Sequence, residues 1–317
     1  MTWEDALIFS ASPGDDLRPV LDRLLEHAHA SWPLWHAGAQ ALRSVQVKQL
    51  HDGDGRLLVQ TNPGRRRSVH AAVDAASIAA RPCFLCPQSF PPGECGIAWG
   101  DLALLPNPFP IVPRHLTIPS RRHELQALPG RARELVSLAQ GLGGEMVVLY
   151  NGPRGGASAP DHFHFQACAD ALPAFELLPA DPAVPGTYAI ASFGRRFVAL
   201  LDDQAPRLAA RIEAALAAWG RVQPSPGTEP MANVLVRWQN AHGTALFFPR
   251  RAHRPAVFHA EGDGRIAVSP AALEMAGILV VTDTDSYQRL HAPAARAVFE
   301  EVSPTPQQLA ALMEQIQ

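Results

Sequence analysis

Cysteine is scarce in this sequence: four residues in 317, at positions 83, 86, 95 and 168. That is too few to staple a secreted scaffold of this size with disulfides. Long apolar runs are also missing; none approaches the ~20 residues that cross a bilayer. The opening Met1-Thr2-Trp3-Glu4-Asp5 has no basic leader running into an apolar segment, so no secretory signal is expected. Nor is there an excess of basic charge. Lys and Arg number 27 against 30 Asp and Glu, a net charge of -3, which argues against a dedicated nucleic-acid binder. These absences predict a cytoplasmic globular protein with neither nucleic acid nor membrane as partner.

What is present is an ordinary globular composition, 47% hydrophobic and 18% charged, in a length that fits one large domain or two modest ones. Thirty prolines favour short strands and turns over long helices. Apolar spacing predicts helices over 16–43, 124–142, 205–219 and 306–316. Strands are expected at 45–47, 57–60, within 97–118, and at 146–150, 161–166, 233–238 and 244–249. Leu116-Thr117-Ile118-Pro119-Ser120-Arg121-Arg122-His123 is echoed by Leu246-Phe247-Phe248-Pro249-Arg250-Arg251-Ala252-His253. The echo suggests two related halves, divided near residue 170.

The segment richest in chemistry runs from Asn151 to Gln166. A Gly-rich turn, Asn151-Gly152-Pro153-Arg154-Gly155-Gly156, leads into Asp161-His162-Phe163-His164-Phe165-Gln166. Read as a strand, this places His162, His164 and Gln166 on one face. A neutral imidazole is a good nucleophile near neutral pH. Glycine N–H groups can approach a phosphate closely, Ser158 and Asn151 add neutral donors, and Gln166 can donate to a phosphoryl oxygen without becoming charged. Arg154 lies in the turn. Asn62 and Arg65, with Gln60, Arg66, Arg67 and His70 around them, form a basic loop that suits a distal phosphate or a sugar and equally suits a solvated turn. Arg250, Arg251, His253 and Arg254 make a second cluster, either facing a leaving group or forming a surface patch.

His162-x-His164-x-Gln166 preceded by Gly155-Gly156-Ala157-Ser158 resembles the transferase branch of the histidine-triad superfamily, which contains uridylyltransferases and dinucleotide and GDP-hexose phosphorylases. Leu116-Thr117-Ile118-Pro119 with His123, and Asn107-Pro108-Phe109-Pro110, fit the same pattern. The resemblance covers residues 57–170 well, and the chain as a whole is most similar to a bacterial group within the branch. It implies an α+β fold, with a histidine-triad-like antiparallel sheet, flanking helices and two related halves: 1–170 catalytic and 171–317 degenerate. It implies that His164 is covalently nucleotidylated, with Gln166 where hydrolases carry a third histidine. The implied substrates are a nucleotide sugar or a dinucleoside polyphosphate, with inorganic phosphate or a sugar phosphate as acceptor. A homodimer is compatible with it.

Cys83-Phe84-Leu85-Cys86 has the spacing of a metal-ligand pair. The resemblance implies zinc, completed by His123 and His162, with His115 as the rival third ligand. A reduced core thiol pair or a redox pair are the other readings. The competing functions are dinucleotide hydrolysis, a non-catalytic nucleotide-binding zinc protein and a Cys-x-x-Cys redox protein.

Overall fold

Proline decides where the first helical pattern breaks. Residues 16–43 form two helices, α1 (Arg18–Ser31) and α2 (Pro33–Arg43). Pro33 has no N–H to give to an ongoing helix, yet its fixed φ suits a first turn. The computed structural model describes residues 1–53, 55–61, 75–169, 172–179, 185–227 and 229–316.

The strands are, in chain order, β1 (Leu7–Ala11), β2 (Gln46–Asp52), β3 (Gly55–Thr61), β4 (Gly96–Trp99), β5 (Leu102–Pro106), β6 (Leu116–Pro119), β7 (Met146–Asn151) and β8 (His164–Ala169). They continue with β9 (Gly186–Ser192), β10 (Arg195–Asp202), β11 (Ala232–Gln239), β12 (His242–Pro249) and β13 (Ile278–Val281). Ten of them make one sheet, ordered β1-β4-β5-β6-β8-β7-β11-β12-β10-β9. Its pairings are antiparallel except for β1 with β4. β13, β3 and β2 form a second sheet. The α+β class expected from the sequence is the class observed.

Between β6 and β7 runs α3 (Ala132–Leu142), and between β10 and β11 runs α4 (Ala205–Val222). The run β5-β6-α3-β7-β8 and the run β9-β10-α4-β11-β12 therefore have one connectivity. Their strand orders, β5-β6-β8-β7 and β9-β10-β12-β11, mirror each other across the β7–β11 seam. The sequence echo does not follow this relation. It matches β6 with β12, whereas the topological counterpart of β12 is β8. The predicted helix at 124–142 also starts later, at Ala132, because Pro129 and Gly130 (φ +84) break it.

Strand alternation splits the core between the two sheet faces. Met146, Val148 and Tyr150 of β7 join α1, α3 and α4 on one face, with Phe163, Phe165 and Ala167 of the β8 segment. Val147 and Leu149 join the other core, with β3, β13 and the C-terminal segment. His164 and Gln166, alternating with the phenylalanines, point away from the main helices.

Candidate active site and metal centre

His164 is the first residue of β8 and is 3% exposed. Opposite it on β6 stands Pro119. Proline offers no N–H, so this must be a non-hydrogen-bonded pair, and the N–H and C=O of His164 both face the β7 side. They meet the side-chain amide of Gln126 there. The His164 N–H donates to Gln126 Oε1 at 2.8 Å, and Gln126 Nε2 donates to His164 O at 3.0 Å. The ring Nδ1 lies 2.9 Å from the carbonyl oxygen of His162. A carbonyl only accepts, so Nδ1 carries the proton and Nε2 holds the lone pair. Burial pushes the ring pKa down to about 4, which keeps it neutral.

Gln166 follows on the same face. Its Oε1 is 2.9 Å from His115 Nε2, while His115 Nδ1 accepts from the Ile111 N–H at 3.3 Å. His115 is thus the Nε2–H tautomer, and it orients the Gln166 amide with its NH2 group directed away. Gln60 Nε2 donates to Ile111 O at 2.9 Å, bringing the end of β3 to this group.

His162 departs from the reading that set it on one strand face with His164 and Gln166, and stands instead with the cysteine pair and His123, the other place the sequence offered it. It lies before β8, in a turn, and its ring joins a separate cluster. Nε2 donates to Ser120 O at 2.8 Å, which leaves the Nδ1 lone pair facing Cys83 Sγ at 3.2 Å and Cys86 Sγ at 3.5 Å. Cys86 Sγ is 3.4 Å from His123 Nδ1. The four ligand atoms of Cys83, Cys86, His123 and His162 all lie within 4.8 Å of one another. A tetrahedral S–Zn–N edge is about 3.5 Å, so the donor set and its spacing fit a zinc-sized ion. His115, the rival ligand, is committed to Ile111 and Gln166. Arg81 pins the cysteine loop to the same segment, reaching Asp161 Oδ1 at 3.1 Å and Ser158 O at 3.3 Å.

The Gly-rich turn packs against the second half of the chain. Asn151 Oδ1 accepts from Asn233 Nδ2 and from the Ala272 N–H, both at 2.8 Å. A Cβ on Gly155 would sit 2.7 Å from Ala232 O, and one on Gly156 (φ +106) 2.6 Å from Ala271 Cβ. The glycines are therefore also needed for close packing. Arg154 Nη2 donates to Ser225 Oγ at 2.7 Å. Asn62 and Arg65, with Arg66, Arg67 and His70, lie outside the described residues. Arg250, expected at a leaving group or on the surface, is fully buried. It donates to Asn233 Oδ1 at 2.7 Å and to the carbonyls of Pro270, Ala252 and His253.

Residues 24–169, which contain the cysteine pair and His164, match a protein-family model described as "Domain of unknown function (DUF4922)". No curated protein matches the sequence. Among solved structures, yeast Ap4A phosphorylase Apa2 matches with a TM-score of 0.57 and 16% identity, covering 91% of this chain and 94% of that one. Its complex with AMP gives 0.58 and 17%, covering 89% and 97%. The chain shares that fold. At this identity the likeness establishes the architecture alone.

Within that architecture, sequence reasoning missed three residues. Gln126 sat in an expected helix. Asn233 joins Asn151 to Arg250. Glu229 accepts from the Leu128 N–H at 2.7 Å and the Tyr150 hydroxyl at 2.9 Å, and burial pushes its carboxyl up to about 7. None carries a motif, because each is recognisable only by partners distant in sequence.

Proposed function

We propose that the protein transfers a nucleoside monophosphate through a covalent intermediate on His164 Nε2. The observation that carries this reading is the Nδ1–H bond to the His162 carbonyl, which reserves Nε2 as the nucleophile on the strand face shared with Gln166. In the first step Nε2 attacks the α-phosphorus of a nucleotide sugar or dinucleoside polyphosphate. The P–N bond forms as the P–O bond to the leaving phosphate or sugar phosphate breaks, the leaving oxygen taking the electron pair. The His162 oxygen accepts the Nδ1–H more strongly as the ring becomes cationic. The Gln166 amide donates to a non-bridging oxygen. In the second step an oxygen of inorganic phosphate or of a sugar phosphate attacks phosphorus and the P–N bond breaks. Two inversions give retention and ping-pong kinetics. The Gly-rich turn, with Asn151, Arg154, Gly155, Gly156 and Ser158, borders the phosphates. Residues 1–170 form the catalytic half of this scheme.

Cys83, Cys86, His123 and His162 hold a structural zinc, which fixes the His162 carbonyl that orients the nucleophile. The fold shared with an Ap4A phosphorylase supports phosphorolysis.

The test is a screen of dinucleoside polyphosphates and nucleotide sugars, radiolabelled at the α-phosphorus, with inorganic phosphate. Acid-labile label on His164, discharged by phosphate, is expected, together with about one zinc per chain by metal analysis. Label retained after His164→Ala, or no label from any compound, sinks the reading. Release by water alone would make the protein a hydrolase.

A further inference from the structure

The β7–β8 ladder pairs Met146 with Ala169, Val147 with Cys168, Val148 with Ala167 and Leu149 with Gln166. Continued in register, it would place Asn151 opposite His164. The ladder stops short, and the side chain of Gln126, 1% exposed, fills the gap. Its Nε2 donates to Asn151 O at 2.8 Å as well as to His164 O at 3.0 Å, and its Oε1 accepts the His164 N–H at 2.8 Å. A primary amide offers the same donor and acceptor as a peptide group, so one side chain replaces the missing strand partner.

We infer that Gln126 is a positioning residue for His164, its amide acting as the rung that β7 does not supply. The inference rests on the transfer reading of His164 for its kinetic consequence. Three features support it. The N–H and C=O of His164 face away from Pro119, so Gln126 is what satisfies both, and buried main-chain groups left unpaired are costly. The amide stands between Asn151 and His164, so it sets the offset at which the Gly-rich turn leaves the sheet beside the nucleophile. The Gln126 N–H also donates to Pro160 O at 3.1 Å, which ties the end of that same connection to the wedge. The start of the turn, its end and the nucleophile are thus registered by one residue.

Gln126→Met keeps the length and volume and removes both polar atoms; Gln126→Ala removes the wedge altogether. In both, amide exchange at His164 is expected to rise at least about tenfold, while that of Gln166, paired with Leu149, stays within about twofold. With diadenosine tetraphosphate and inorganic phosphate as probes, kcat should fall about 10- to 100-fold with KM within about twofold, the signature of a misplaced nucleophile. A through-hydrogen-bond coupling from the His164 amide to the Gln126 side-chain carbonyl carbon, measured in the unsubstituted protein, reads the same bond even if neither variant folds. Unchanged His164 exchange in the variants, or absence of that coupling, overturns the inference. Absence of His164 labelling in the unsubstituted protein overturns the transfer reading instead, and the exchange and coupling data still decide the role of Gln126.

Discussion

Two units of the large sheet share one connectivity and differ in how their last two strands are joined. β7 and β8 are linked by residues 152–163, which carry the Gly-rich turn and His162 of the Cys/His cluster. β11 and β12 are linked by Asn240 and Ala241 alone, both at positive φ, a tight hairpin turn. The strands that follow differ to match. β8 opens with His164 and Gln166, held by Gln126 and His115. β12 runs Thr244, Ala245, Leu246, Phe247 and Phe248 into the core, all buried. A shared scaffold thus keeps a polar constellation around His164 in one unit and core packing in the other. The chemistry is decided by the connection and the polar groups it gathers, not by the strand order.

The sharpest break of this comparison is His164→Ala. Turnover should fall about 10⁴-fold or more, while the melting temperature stays close to that of the parent; steady-state kinetics and a thermal melt check both. The mirror experiment in the other unit is Phe247→Ala. The fully buried ring should cost about 3–5 kcal/mol of stability in denaturant unfolding, and the folded fraction should still label at His164. If Phe247→Ala instead abolished labelling in folded protein, the second unit would hold more than packing.

Glu229 probes the seam between the units, since it enters from the second and binds Leu128 and Tyr150 of the first. Its pKa is raised by burial from 4.5 to about 7, so the folded state holds the proton more tightly than the unfolded chain. The associated stability is fully present below pH 4.5 and is lost as pH rises to about 7, a change of about 3 kcal/mol. Glu229→Gln should flatten that slope, measured by urea unfolding between pH 4.5 and 7.5; an unchanged slope would remove Glu229 from the account. The smallest effect is expected at the two-residue turn. Ala241 has φ +62, a region that glycine enters without steric cost, so Ala241→Gly should stabilise by about 0.5–1 kcal/mol with activity unchanged. A destabilised variant would mean that the turn carries no relievable strain.

Much of the first unit was legible because its signals are local. A continuous apolar run placed β7, and hydrophobic spacing found the helical stretch at 16–43, read as one helix where Pro33 makes two. The His164-x-Gln166 spacing fixed a shared face through the two-residue period of a strand. The Cys83-Phe84-Leu85-Cys86 spacing fixed two thiols on one turn. The eight-residue echo pairs β6 with β12, which are not topological counterparts, because their common feature is an apolar strand ending at proline. His162 was misplaced because alternating residues read as strand whether or not a partner strand reaches them.

By itself the sequence determined which residues could act: a lone-pair imidazole two positions before an amide, a thiol pair, and glycines where side chains would not fit. Only the folded chain decided which ring nitrogen holds the proton, that His123 and not His115 stands with the cysteines, and that Gln126 reaches across to grip His164. The first choice is made by a carbonyl only two residues away, through a local bend that alternation does not show, and the other two by groups 37 or more residues apart; hydrogen-bond partnership at that separation leaves no periodic trace along the chain.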